Sequence, residues 1–284
     1  MKGKMSTSGI LTEILPELDS PLLVAGFEGW ANALQIPQRM VSYLVQQLHA
    51  EPFATLNSDM YYRYDEDRPL VQVEDGVLNQ VTPPGGTFYA AHTGPDCGDL
   101  LVLQADEPSL GWFHFVDDFI GLCRKLGVHQ IVTLGSMYDN VLHTDRIISG
   151  IASSPELRDR LAERGVRPVN YQGPSSIHSL IQKEGESGGF QCISLWCHCP
   201  YYLQGVTHFG ILSHLGSLIA HLGGFDLDTS ALDANWKELN KQIQMLIENN
   251  PDIQSMIDNL RREKLRGSWE SLKKSSSQSD KVIP

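Results

Sequence analysis

No stretch of the 284 residues approaches the ~20 consecutive apolar residues that a membrane-spanning helix needs. The N-terminal MKGKMSTSGILTEILPELDS carries lysines but no apolar run of signal-peptide length, so a cytoplasmic location is expected. Basic charge is also scarce. With 22 Lys and Arg against 34 Asp and Glu, the net charge of -12 argues against nonspecific binding to nucleic acid or to an anionic membrane. Five cysteines, an odd number, make no disulfide framework, and reduced thiols are expected. Neither a GxGxxG nor a GxxxxGK[ST] nucleotide loop is present, and no internal repeat is found.

What remains is the composition of an ordinary globular chain, 41% hydrophobic and 20% charged, with enough apolar residues for a sizeable core. Strand and helix patterns alternate, as in a largely parallel sheet covered by helices. PLLVA at 21–25 reads as a strand, followed by Gly26-Phe27-Glu28-Gly29-Trp30 and a helix carrying Val41, Leu44 and Leu48 at helical spacing, with Pro37 in its first turn. Short β-rich pieces at 60–64, 70–73 and 87–91 predict hairpins beside the main sheet. LLVLQ at 100–104 predicts a buried strand, and Ser109 is the expected N-cap of a helix running from Trp112 to Gly127.

The pattern continues with a strand at 131–134 that turns at Gly135-Ser136, a helix at 155–164, and a helix through Leu180 and Ile181 broken by the glycines at 185–189. A strand at 192–196 and a helix from Thr207 to His221, closed by Gly223-Gly224, complete it. Residues 1–19 are an N-terminal segment, 20–226 an α/β core domain, and 227–266 a helical region with a break at Asn249-Asn250-Pro251. The serine-rich residues 267–284 read as a disordered tail.

The strand-to-loop joints should share one edge of the sheet, where an α/β protein meets its ligands. Glu28, Trp30, Glu107, Trp112, His143, Thr144, Asp145, Arg146, Tyr171, Trp196, Tyr201 and Tyr202 fall there, although core packing explains Trp112 and Trp196 at least as well. Glu28, Glu107 and Asp145 could form an acidic site, or cap helices and pair with Arg146. His143 could act as a base toward Ser136, Ser175 or Ser176, but no spacing fixes a triad. Cys197-His198-Cys199, near Cys192 and His208, carries soft ligands; adjacent strand side chains point to opposite faces, so no metal is expected.

The order and spacing of LLVAGFEGWANA, ADEPSLGW, IVTLGSMYDNVLHTDR, NYQGPSS and ISLWCHCPYY resemble the bacterial and archaeal members of the proteasome assembly chaperone 2 family, over about residues 20–262. The resemblance implies a three-layer α/β/α fold of the purine nucleoside phosphorylase type, with a mixed, largely parallel sheet and extra C-terminal helices. It also implies homo-oligomers, commonly trimers, and action through protein surfaces. Glu107, Pro108, Gly135, His143, Thr144, Arg146, Tyr171, Gly173, Pro174, Trp196, Pro200 and Tyr202 match the family pattern. Tyr201 stands at the histidine of a Pro-His-Tyr sequence, while Ser175 and Ser176 replace the Thr-Gly of a Gly-Pro-Thr-Gly turn. Val282-Ile283-Pro284 lacks the hydrophobic-Tyr-any tail by which some relatives engage a proteasome ring.

The expectation is therefore a cytoplasmic, non-catalytic, homo-oligomeric binding or assembly-chaperone-like protein that uses no cofactor. Its partners are further copies of itself, as a homotrimer or higher, and a protein client. The strand-end cluster comprises Glu28, Trp30, Glu107, His143, Thr144, Arg146, Tyr171, Gly173, Pro174, Trp196 and Tyr202, serving as pocket or interface. The alternative is an enzyme on a small anionic or nucleoside-like ligand, of hydrolase, phosphorylase or ligase class, with Arg146 holding an anion and His143 moving a proton.

Overall fold

A computed structural model describes residues 9–12, 14–94 and 98–262; the predicted tail at 267–284 lies outside them. The described strands are β1 (Ile10–Thr12), β2 (Leu22–Glu28), β3 (Glu51–Leu56), β4 (Leu70–Glu74), β5 (Val77–Thr82), β6 (Gly86–Ala91), β7 (Leu100–Asp106), β8 (Gln130–Asp139), β9 (Ile148–Ala152), β10 (Arg167–Pro168) and β11 (Gln191–Pro200). The helices are α1 (Ile36–Gln47), α2 (Ser58–Tyr61), α3 (Trp112–Lys125), α4 (Pro155–Glu163), α5 (Ile177–Ser187), α6 (Phe209–Gly223), α7 (Ser230–Asn249) and a last helix, α8, over 251–262.

Nine of these strands form one mixed sheet in the order β1-β3-β6-β7-β2-β8-β11-β9-β10, and among the described residues β4 pairs only with β5. The central four, β7, β2, β8 and β11, are parallel, so their carboxyl ends at Asp106, Glu28, Asp139 and Pro200 share one edge. Antiparallel strands flank them on both sides.

Side-chain alternation along β2 shows why the central strands read as continuous apolar runs. Leu22 and Val24 face a core built with Met40, Val41 and Leu44 of α1 and Ile211, Leu215 and Ile219 of α6. Leu23, Ala25 and Phe27 face the opposite core, built with Phe115, Val116 and Phe119 of α3 and Ile177 and Ile181 of α5. Each sheet face is covered, so most positions on these strands are apolar, and the polar ones among them, such as Thr133 and Ser194, hydrogen-bond within the sheet. This is the expected three-layer arrangement with C-terminal helices.

Several local expectations are corrected. Residues 60–64 do not form a strand: Tyr61 and Tyr62 are buried side by side, which a half-exposed strand does not permit, and Tyr61 ends α2. Ser109 does not cap α3, which starts after Gly111 in the left-handed region at φ 64°; the Ser109 hydroxyl accepts instead from the Arg63 amide at 2.8 Å. α5 runs through Gly185, where a Cβ would come within 2.5 Å of Cys192 Sγ, so this glycine permits close helix-sheet packing. β8 does not turn at Gly135. It continues to Asp139, and Gly135 lies under the Trp196 indole, where a Cβ would sit 2.9 Å from ring atoms.

Candidate functional site

The parallel edge opens into a hollow of about 530 Å³. Residues after β2, the end of β8, Ile151 of β9, the loop before α5 and the end of β11 supply its walls. Trp30, Tyr138, Tyr171, Trp196 and Tyr201 make it aromatic, and among the described residues no charged side chain lines it.

Glu107 holds two of these elements together. Its Oε1 accepts from the Ile177 amide at 2.8 Å and its Oε2 from the Trp30 amide at 3.2 Å, while its own amide donates to the Glu28 carbonyl at 2.6 Å. A carboxylate at the first residue of α5 also meets the positive end of that helix dipole. Gly29 is required beside it, because a Cβ there would approach Glu107 Oε2 to 2.6 Å. Glu28 turns outward and accepts from Gln38 of α1 at 2.5 Å.

Trp196 forms the floor. Its indole N–H donates to Ser194 Oγ at 3.0 Å, Trp30 meets it edge-on at 6.5 Å, and the His178 ring backs it at 5.4 Å. His178 is itself buried between Ser176 Oγ, 2.5 Å from Nδ1, and the Leu134 carbonyl, 2.9 Å from Nε2. A carbonyl only accepts, so Nε2 carries the proton and Nδ1 accepts from Ser176. Burial pushes the His178 pKa down to about 4, with the Leu134 hydrogen bond opposing part of that shift, which keeps the ring neutral.

The rim is also ordered locally. Tyr171 donates to the Pro174 carbonyl at 2.7 Å and its ring folds over Gly173, where a Cβ would come within 2.6 Å of the phenol oxygen. Tyr138 and Tyr201 stack at 5.3 Å. On the opposite wall Ser136 fixes residues 31–33: its amide donates to the Ala31 carbonyl at 2.8 Å and its hydroxyl to the Ala33 carbonyl at 2.7 Å. Asn32 lines the hollow with a buried Oδ1 that accepts no hydrogen bond from the described residues. Leu34 and Gln35 follow at φ 52° and 56°, strained for residues with side chains. A ligand here would be apolar or aromatic and would offer Asn32 an N–H or O–H donor.

The other predicted residues gather around the C-terminal helices. The His143 amide donates to Tyr202 Oη at 2.6 Å, and the same oxygen lies 2.8 Å from His143 Nδ1. Gln244 of α7 reaches within 3.4 Å of His143 Nε2. Burial, reinforced by Arg261, lowers the His143 pKa. Trp236 of α7 stacks on His208 at 4.6 Å and lies against Gly210, and the Arg146 guanidinium sits 5.8 Å over its ring. Thr144 is exposed on this loop. Trp30, Glu107, Tyr171, Pro174 and Trp196 thus build the hollow, whereas His143, Arg146 and Tyr202 hold the C-terminal helices.

Cys197 and Cys199 face the core under α6, so alternation separates them from His198, while Cys192 shares the His198 face but lies six residues away along β11. Among the described residues no cluster of three His, Cys, Asp or Glu could hold a metal. The stretch Gly185-Glu186-Ser187-Gly188-Gly189 has the spacing of a nucleophile elbow, yet it closes α5, and Ser187 Oγ donates to the Lys183 carbonyl at 2.9 Å. Sequence reasoning missed Asn32, Ser194 and His178. No local pattern marks them, because their partners lie on other strands.

The sequence pattern of the PAC2 family matches residues 26–247. The chain belongs to the PAC2 family. A PAC2 family protein of known structure from Streptomyces avermitilis is 26% identical, with a TM-score of 0.72 over 80% of this chain and 95% of that one. A proteasome-assembly chaperone homologue from Mycobacterium tuberculosis is 24% identical, with a TM-score of 0.75 over 83% of this chain and 99% of that one, and shares the fold. An isocitrate dehydrogenase kinase/phosphatase from Rhodopseudomonas palustris is 30% identical over 107 residues, 36% of this chain. That match spans only 18% of the relative's length. No helix of this PAC2 member, among the described residues, is long and apolar enough to cross a membrane.

Proposed function

We propose that this PAC2 family member is a cytoplasmic, self-associating, assembly-chaperone-like protein that receives apolar segments of protein clients in the aromatic hollow. The observation that carries this reading is the rim: Trp30, Tyr171 and Tyr201 are 65%, 64% and 59% exposed around a hollow without charged lining. Large aromatic side chains held open at a rigid edge supply contact area at little entropic cost and act as interface anchors. The assembly-chaperone homologue from Mycobacterium tuberculosis supports the same class of role. On this reading residues 20–226 are the binding domain and the described part of 227–266, up to residue 262, is a helical region docked on it.

The β4–β5 ribbon supports self-association. Val71 pairs with Val81 and Val73 with Leu78, placing four apolar side chains on one face, each more than half exposed. A two-stranded ribbon is marginal in water without a surface for its apolar face, and a further copy supplies one, as a homotrimer or higher. The alternative, an enzyme holding a small anion between His143 and Arg146, gains no support there, because Tyr202 and Trp236 already engage those side chains.

Tryptophan fluorescence titrated with reduced, carboxymethylated lactalbumin, a permanently unfolded chain, tests client binding. Saturable quenching that is lost in Trp30→Ala is expected, and no response would overturn the hollow as the binding site. Light scattering after size exclusion tests assembly: an oligomer that Val71→Glu with Val73→Glu dissociates is expected, and a wild-type monomer at micromolar concentration refutes it.

A further inference from the structure

We propose that Ser149, His198 and Asp139 form a hydrolytic centre for short acyl esters, distinct from the aromatic hollow. Three neighbouring strands bring these residues together: β9 carries Ser149, β11 His198 and β8 Asp139. Because Cys197 and Cys199 point into one core, His198 points to the opposite face of the sheet. There Asp139 Oδ2 lies 2.7 Å from His198 Nδ1, and Ser149 Oγ lies 2.8 Å from His198 Nε2. An ionised carboxylate only accepts, so Nδ1 carries the ring proton and the Nε2 lone pair faces the serine hydroxyl. That is the connectivity in which a histidine activates a serine and a carboxylate holds the tautomer.

His198 and Asp139 line a second hollow, of about 340 Å³, together with Asp145 and Arg167, and Ser149 meets it only through its contact with His198. The His198 side chain is 17% exposed and Asp139 44%, whereas Ser149 is only 3% exposed, which restricts the acyl group to a small one. The Ser149 oxygen attacks the ester carbonyl carbon while its proton passes to His198 Nε2. The bond from that carbon to the alcohol oxygen then breaks, and His198 returns the proton to the departing alcohol. Water attacks the acyl-serine ester, giving its proton to His198; the acid leaves, and Ser149 recovers its proton. Asp139 holds His198 Nδ1 throughout, and Arg167 is the cation on that wall for the negative charge that develops on the acyl oxygen.

Diisopropyl fluorophosphate, a small reagent that phosphorylates activated serines, tests this on the full chain. The expected result is an adduct that peptide mass spectrometry maps to Ser149, absent in Ser149→Ala and formed at least ~100-fold more slowly in His198→Ala. Circular dichroism checks that each variant is folded. Asp139→Asn, at an exposed site, provides a second measurement and should slow labelling at least ~10-fold. No adduct on Ser149 in the wild type, or labelling at Ser149 with unchanged rate in folded His198→Ala or Asp139→Asn, overturns the proposal.

Discussion

The neutral His178 ring under Trp196 makes stability depend on pH in a calculable way. Its pKa is about 4 in the fold against 6.5 ordinarily, so between those values the unfolded chain binds the extra proton. The stabilisation is therefore present above pH 6.5 and is lost as pH falls toward 4. Between pH 7 and pH 5 the loss from this one group is about 2 kcal/mol, near one proton's worth of slope over most of that interval. His208, also depressed to about 4 by burial, adds a loss of the same sign, so the wild type alone does not isolate the effect. Comparison with His178→Gln does. Urea unfolding of both proteins at pH 7 and pH 5 should give a variant whose stability falls about 2 kcal/mol less than that of the wild type over this interval. Parallel pH dependences in the two proteins would refute the assignment of a buried, neutral His178. Because the ring touches Trp196, the same acidification should also change tryptophan emission before global unfolding.

Gly135→Ala places a Cβ 2.9 Å from the Trp196 ring, overpacking that should cost about 1–3 kcal/mol; thermal denaturation should show a fall of several degrees. Glu107→Ala leaves the Trp30 and Ile177 amides without their acceptor and should cost about 1–3 kcal/mol, read in the same assay, with altered Trp30 fluorescence. Trp236→Ala removes the contact of α7 with His208 and Gly210, at a cost of about 3–5 kcal/mol. Limited trypsinolysis should then cut first at Lys237 and Lys241 while the sheet persists.

The layered fold was legible in the sequence because burying both faces of a parallel strand demands uninterrupted apolar residues, as in LLVA at 22–25 and LLVL at 100–103. The helix stripes of α3 and α6 were legible for the same reason, and so was the αL glycine after each, Gly127 and Gly224. Glycines in the interior were misread. Gly135 and Gly185 look like turns or breaks along the chain, yet each makes room for a side chain from β11, Trp196 and Cys192.

The candidate site divides along the same line. Trp30, Glu107, Tyr171 and Trp196 could be placed at one edge from strand order alone, because parallel strands must end together. Their separation from His143, Arg146 and Tyr202 depends on where α7 docks, and an amphipathic helix specifies that it needs a surface without specifying which. Likewise the Ser149–His198–Asp139 alignment follows from the antiparallel insertion of β9 beside β11, a pairing set by cross-strand packing rather than by any local spacing. The sequence by itself determined the layers, the buried strands and the edge that carries the aromatic residues, since these follow from local periodicity. Only the tertiary structure decided which polar side chains meet there, because hydrogen bonds a few ångströms long join residues tens of positions apart.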